Sequence, residues 1–210
     1  MTVAVPHIVL LSGSLGTDSK TNRIAAWCAR GYEGKADTTL FTGTDLEFPF
    51  YRPQADGNMP GARRFLTALE HADGVVMVSP TYHGTTSGLL KNALDYINEL
   101  AHAPQPYLDG RALGCVSVGL GEQGAASTLQ TLRTIGHALR GWPTPMGVAL
   151  SNSRAAMDDH SGPADAQARA QLQVMLQQVL LMAQINAKRR AARAKSTVPR
   201  QEPAAAGGAR

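Results

Sequence analysis

The run "HIVLLSGS" (7–14) is apolar until it closes on Ser and Gly. Behind it, "SKTNRIAAWCARGYEG" (19–34) places Ile24, Trp27 and Cys28 at helical spacing, with Gly34 as a stop. This couplet of short apolar run and amphipathic segment recurs along the chain. "DTTLFTG" (37–43) reads as a second strand, a loop rich in Pro, Gly and acids reaches about Pro60, and "GARRFLTALEHA" (61–72) reads as a helix. "DGVVMVSP" (73–80) is apolar at successive positions, the pattern of a strand covered on both faces, with Pro80 as its end. A helix over about 87–101, a strand in "RALGCVSVG" (111–119), a helix in "GAASTLQTLRTIGHALRG" (124–141) and a strand in "TPMGVALS" (144–151) complete five rounds. Such alternation predicts an α/β fold with a parallel sheet and helices on both faces. A last helix is capped by Ser161 or Gly162, with Pro163 at its first position and Asp165 at its positive end. Leu172, Met175, Leu176, Val179 and Met182 mark its buried stripe, which fades near Ile185. Helix-forming residues run on to about Lys195, so its end is expected either to fray or to pack on another subunit.

At 210 residues and 43% hydrophobic content, one compact domain is expected. No apolar run approaches a membrane span, and "MTVAVPHIVLLSGS" lacks the pattern of a signal peptide, so a cytoplasmic protein with no membrane partner is expected. Cys28 and Cys115 have neither CxxC spacing nor nearby His, which suits packed thiols better than a metal or redox site. The net charge of +4 is unevenly placed: from Ala187 onward seven basic residues face one acid, Glu202, a local +6 that leaves −2 for residues 1–186. Residues 1–194 are therefore read as the folded domain. Residues 195–210 are read as a disordered basic tail on which the activity of the folded domain does not depend. Without interleaved aromatics that tail does not suit a nucleic-acid arm, and no nucleic-acid partner is expected.

In a five-stranded sheet ordered 2-1-3-4-5, neighbouring connections diverge between strands one and three and open a crevice at the carboxyl ends. The loops to inspect are then 12–22 and 79–87. The first, "SGSLGTDSKTN", sets Ser12, Ser14, Thr17, Ser19, Thr21 and Asn22 at a helix N-terminus, where hydroxyls, free N–H groups and the helix dipole suit a phosphate. It is neither GxGxxG nor the GK[ST] of an ATP-binding loop, which favours a single phosphate on a flat ring over a dinucleotide. The second, "SPTYHGTTSGLL", reads either as a plain strand-to-helix connection, with Gly84 turning and Ser87 capping, or as a backbone platform for a flat, polar ligand. Scattered Ser, His and Asp without a nucleophile elbow nominate no catalytic side chain.

Over roughly residues 7–150 the chain resembles the NADPH-dependent FMN reductases of the flavodoxin-like superfamily. "GSLGTDSKTNR", "ADGVVMVSPTYHGTTSGLLKNALDYI" and "VSVGLGEQGAAS" carry the resemblance. It implies a flavodoxin-like three-layer sandwich, with FMN as cofactor and NADPH (or NADH) as reductant. Hydride would pass to the flavin and on to a small acceptor, a quinone, azo compound, metal ion or metabolite. Ser14, Ser19 and Thr21 would contact the phosphate with Asn22 close by; Pro80, Thr81, Tyr82 and Gly84 would border the flavin; Gly119, Gly121 and Gly124 would let the third loop reach its other edge. Gly16 stands where many members have arginine. His83 stands where asparagine is common, and reads as a hydrogen-bonding partner of flavin or substrate or as a surface residue. Lys91, Asn92 and Asp95 match the family's motif in a structural or subunit-contact role.

The resemblance also implies a homodimer or dimer of dimers with the site near the interface, in keeping with Leu89, Leu90, Leu94 and Ile97 on more than one helix face. Two further roles compete: supply of reduced FMN to a partner monooxygenase, and a flavodoxin-type electron carrier, which the mild acidity of residues 1–186 disfavours. A non-enzymatic role of the tail on an acidic partner is a fourth. Two cysteines exclude a four-cysteine iron–sulfur cluster.

Overall fold

The computed structural model describes residues 4–53, 59–158 and 162–196, with side chains through 193. In chain order these form β1 (His7–Ser12), α1 (Lys20–Arg30), β2 (Asp37–Thr42), α2 (Pro60–Glu70), β3 (Gly74–Tyr82), β4 (Thr85–Thr86), α3 (Gly88–Asp95), β5 (Ala112–Gly119), α4 (Glu122–Ala138), β6 (Trp142–Pro143), β7 (Val148–Ser151), β8 (Met157–Asp158), β9 (Gly162–Pro163) and α5 (Ala166–Ser196). The parallel sheet runs β2-β1-β3-β5, with β6 and β7 both pairing with β5 and so sharing its far side. The expected order therefore holds, with a divided fifth strand and a short antiparallel β4 added to the end of β3.

Successive residues of β3 serve two cores. Val75 and Met77 pack with Phe65, Leu69, Leu90, Leu94 and Leu132 from α2, α3 and α4. Val76 and Val78 pack with Ile24 and Cys28 of α1 and Leu172, Met175 and Val179 of α5. Burial on both faces is what removes the polar alternation from "GVVMVS". Each fully buried Val or Leu contributes about 1.5–3 kcal/mol.

Four expectations are corrected. The strand read at 144–151 forms only at Val148–Ser151. Pro143 and Pro145 bring no N–H to a ladder, and the Thr144 hydroxyl curls the chain by donating to the Met146 carbonyl at 2.8 Å. Pro80 does not end β3. Its backbone points the same way as that of Val78, whose carbonyl accepts from Gly13 N at 2.9 Å, and β1 has ended before Pro80 is reached, so its missing N–H costs no ladder bond. In α5 the cap is Asp165, whose Oδ1 accepts from Ala168 N at 2.6 Å, while Gly162 and Pro163 form β9 against β8; Ser161 lies outside the described residues. The α5 stripe does not fade near Ile185: Ala183 and Ala187 are fully buried. Asn186 Nδ2 then donates to the carbonyls of Asp73 and Gly110, both at 3.0 Å, and Arg190 grips the buried Asp73 carboxylate at 3.2 and 2.7 Å. The helix continues to Ser196, and the tail beyond it lies outside the described residues.

The helix expected over 87–101 stops at Asp95 and passes into a 3-10 turn over Tyr96–Leu100; Leu90 and Leu94 on the first and Ile97 on the second are buried within the chain, so their apolar character serves its own core. Asn92 is structural: its Oδ1 accepts from Tyr51 N at 2.9 Å, and its Nδ2 donates to the carbonyls of Phe48 and Pro49 at 3.0 and 2.9 Å, fixing the segment after β2. Lys91 and Asp95 form an exposed pair at 2.7 Å one helical turn apart. Among the described residues no helix is long and apolar enough to cross a membrane, and no three His, Cys, Asp or Glu side chains group as metal ligands.

Both thiols are buried, and desolvation pushes each up to about 12. Folded protein at pH 8 is expected to resist a water-soluble thiol reagent, and unfolded protein to react at both cysteines; rapid reaction of the folded chain would contradict this burial. Because the folded pKa values are raised, the stability these thiols allow is complete below the unfolded thiol range near ~8.5 and declines as pH climbs towards 12.

Candidate functional site

Three loops meet at the carboxyl ends of the strands. The first leaves β1 through Gly13, where a Cβ would stand 2.6 Å from Ser87 Oγ and 2.8 Å from Leu90 Cβ, so the start of α3 can press against it. Ser19 caps α1, its Oγ accepting from Thr21 N at 3.2 Å and Asn22 N at 3.5 Å. Ser14 Oγ, nearly buried, accepts from Gly16 N at 3.3 Å. Thr21 is buried beside them. Asn22 is fully engaged: Nδ2 donates to the carbonyls of Ser14 at 3.2 Å and Gly16 at 2.9 Å, while Oδ1 accepts from Ser12 Oγ at 2.5 Å. Residues 13–19 contain no Lys or Arg. Lys20, just beyond, bridges to the chain after β7 by donating to Asn152 O and Oδ1 at 2.9 and 2.7 Å.

The second loop is a tight hairpin. Thr81 and Tyr82 pair with Thr86 and Thr85, and the two residues between them, His83 and Gly84, have φ of 51° and 79°. A two-residue turn with both central φ positive matches the right-handed twist of its strands, and His, like Asn, tolerates the left-handed region better than most side chains. His83 thus has a local reason to be where it is. Buried Ser79 knots the base: its Oγ accepts from Ser87 N at 3.1 Å, lies 2.8 Å from Thr86 Oγ1 and donates to Pro80 O at 2.7 Å. Ser127 Oγ on α4 donates to Gly84 O at 2.7 Å and pins the tip.

The third loop packs on the second through Thr81, whose Oγ1 donates to Gly124 O at 3.4 Å. A Cβ on Gly119 would lie 2.9 Å from Ala125 N, so that glycine answers to its own turn; at Gly121 a Cβ would meet nothing within 4 Å, leaving open room where α4 begins. Leu15, Tyr82 and Leu120, one from each loop, are 52%, 56% and 91% exposed, which makes this an open ledge with apolar posts and not a closed cavity. The predicted site residues therefore share one end of the sheet. Ser79 and Ser127 were not singled out from the sequence, although a lone serine closing the apolar run "GVVMVS" was a signal for the first.

The donor set suits a phosphorylated flat ring. Capped and uncapped helix N-termini of α1 and α4 face the ledge, Ser14 and Ser19 bring hydroxyls, and Gly121 leaves room. A five-lane parallel sheet ordered this way, with its loops so gathered, defines a flavodoxin-like mononucleotide-binding protein. The chain belongs to the NADPH-dependent FMN reductase family, whose model matches residues 6–155, which makes it a flavoprotein oxidoreductase using FMN and NADPH. It is 31% identical over 100 residues to an NADPH azoreductase of Bacillus sp. (strain OY1-2), covering 46% of this chain and only 54% of that protein. It is 29% identical over 152 residues to an FMN-dependent NADPH-azoreductase of Staphylococcus haemolyticus, covering 69% of this chain and 77% of the relative. Among solved structures, the flavoenzyme NAD(P)H:(acceptor) oxidoreductase FerB of Paracoccus denitrificans superposes with a TM-score of 0.73 at 20% identity, over 87% of this chain and 99% of that one, a likeness of fold.

Proposed function

We propose that the chain holds FMN on this ledge and passes reducing equivalents from NADPH to a small acceptor such as an azo compound or quinone, with metal ions and metabolites as further candidates. The observation that carries the reading is the meeting of three loops at the switch point, joined by the contacts of Gly13 with Ser87 and of Thr81 with Gly124. The phosphate would lie over Ser14, Ser19 and the first turn of α1, near Thr21 and Asn22. The ring would run along Pro80, Thr81, Tyr82, His83 and Gly84 towards Gly119, Gly121 and Gly124. Bound there, FMN would supply the hydride chemistry, and the chain would bind and orient it. No side-chain acid or nucleophile is required.

Purified protein should show flavin bands near ~370 and ~450 nm that bleach on anaerobic addition of NADPH and recover with a quinone or azo dye. Bands that fail to bleach would point to a flavodoxin-type electron carrier instead. A second reading, supply of reduced FMN to a monooxygenase, draws on the lack of any cation in residues 13–19, which loosens the hold on phosphate. Recovery of the protein free of flavin, together with turnover of added FMN, would favour it. Tyr82→Ala should weaken FMN binding by about 1 kcal/mol, roughly fivefold, the scale of one aromatic contact beyond area burial; an unchanged titration midpoint would remove Tyr82 from the ring's border.

A cytoplasmic homodimer is the proposed state. Phe50, 86% exposed on the segment that Asn92 fixes, and Leu181, 61% exposed on α5, are apolar surface a second copy could cover. Light scattering that reports the 22.2 kDa monomer at micromolar concentration would overturn it.

A further inference from the structure

We infer that Asn22 is a positioning residue that never touches the ligand: it aims the first loop's backbone N–H groups at the phosphate. This rests on the flavin reading above. Two carbonyl acceptors, Ser14 O at 3.2 Å and Gly16 O at 2.9 Å, fix which end of the side-chain amide is NH2, and Ser12 Oγ donating at 2.5 Å fixes the other. Both amide hydrogens are thus committed inside the protein and the oxygen already accepts from Ser12, so the side chain has no donor left to offer a phosphate.

The consequence follows from the planar trans peptide, in which a carbonyl and the next residue's N–H point in opposite directions. All described peptides are trans. Drawing the Ser14 and Gly16 carbonyls inward to Asn22 therefore turns the N–H groups of Leu15 and Thr17 outward. These two donors form an anion cradle made of backbone beside the positive end of α1, whose Thr21 and Asn22 N–H groups are themselves taken by Ser19 Oγ. In a loop without Lys or Arg, the donors oriented by Asn22 carry discrimination between a phosphorylated flavin and its unphosphorylated parent.

The test uses the unmodified full chain and Asn22→Ala. In unmodified apoprotein, a titration with inorganic phosphate followed by amide NMR should move the backbone resonances of Leu15 and Thr17 and leave the Asn22 side-chain NH2 resonances in place. Movement of the Asn22 NH2 pair with still Leu15 and Thr17 amides would overturn the inference. In Asn22→Ala, FMN binding should weaken at least ~10-fold, since two hydrogen bonds to a charged group are disordered, while riboflavin binding changes by less than about twofold. A retained FMN-to-riboflavin ratio, or equal loss for both flavins, would overturn it too. Failure of the unmodified protein to bind FMN at all is a different result: it sinks the flavin reading itself and is seen before any variant is made.

Discussion

Arg111→Met is expected to lower the unfolding free energy by about 3 kcal/mol and the melting temperature by roughly 10 °C. Arg111 opens into β5 at the edge of the sheet opposite the ledge, and it is 1% exposed. Its Nε donates to Ala72 O at 2.8 Å, Nη2 to Glu70 O at 2.7 Å and Nη1 to Tyr107 O at 3.3 Å. One planar guanidinium thus ties the end of α2 and the chain before β5 to the sheet. Burial holds its pKa below the usual range, with Asp73, Asp109 and Glu70 opposing that shift. Methionine fills similar volume without the desolvation cost of a charge, but it strands three carbonyls at about 1–3 kcal/mol each, and the losses exceed the gain. Differential scanning calorimetry with and without FMN checks this. A melting point within about 2 °C of the unmodified protein, or a selective loss of FMN affinity, would show that the residue has another role.

Gly16→Arg should act in the opposite sense, tightening FMN binding roughly tenfold or more by adding a charge-assisted hydrogen bond of about 1.5–3 kcal/mol. The site can accept the change. A Cβ on Gly16 meets only Ser14 Oγ and Ser19 Cβ, both at an ordinary 3.7 Å, and its φ lies outside the left-handed region. The new guanidinium would join the hydroxyls and N–H groups proposed to hold the phosphate, in a stretch, residues 13–19, that has no Lys or Arg of its own. Because the added attraction is between charges, the gain should shrink as salt rises from low concentration to about 0.5 M, whereas riboflavin affinity should not change. Equal affinities of variant and parent for FMN at low salt would place the phosphate away from residue 16.

Much of this architecture was written in local pattern. Continuous apolar strands such as "GVVMVS" are apolar because both faces are covered, and that property is visible one residue at a time. The divided fifth strand was also visible in principle, in Pro143 and Pro145, but its apolar spacing outweighed the missing donors. Other features have no local signature. Asp73 and Arg190 lie 117 positions apart, and neither neighbourhood hints at the other. For Asn22, a hydroxyl-rich loop placed it near a phosphate but did not reveal its partners in the fold, Ser12 Oγ and the carbonyls of residues 14 and 16, the latter carried alike by every residue type. His83 was ambiguous because the left-handed turn that accommodates it is a matter of backbone angle, and residue identity only permits that angle.

The course of α5 bears on how the protein could be handled. It starts beside the ledge end of the sheet, and Asn186 and Arg190 fasten it at the opposite edge, on Asp73 and Gly110. Six further residues, roughly 9 Å of helix, carry it to Ser196. An affinity handle or a tether to an electrode or bead, joined beyond Ser196, would start from the pole away from Leu15, Tyr82 and Leu120. Immobilised by that route, the molecule would have its ledge at the pole farther from Ser196, where the attachment leaves the helix.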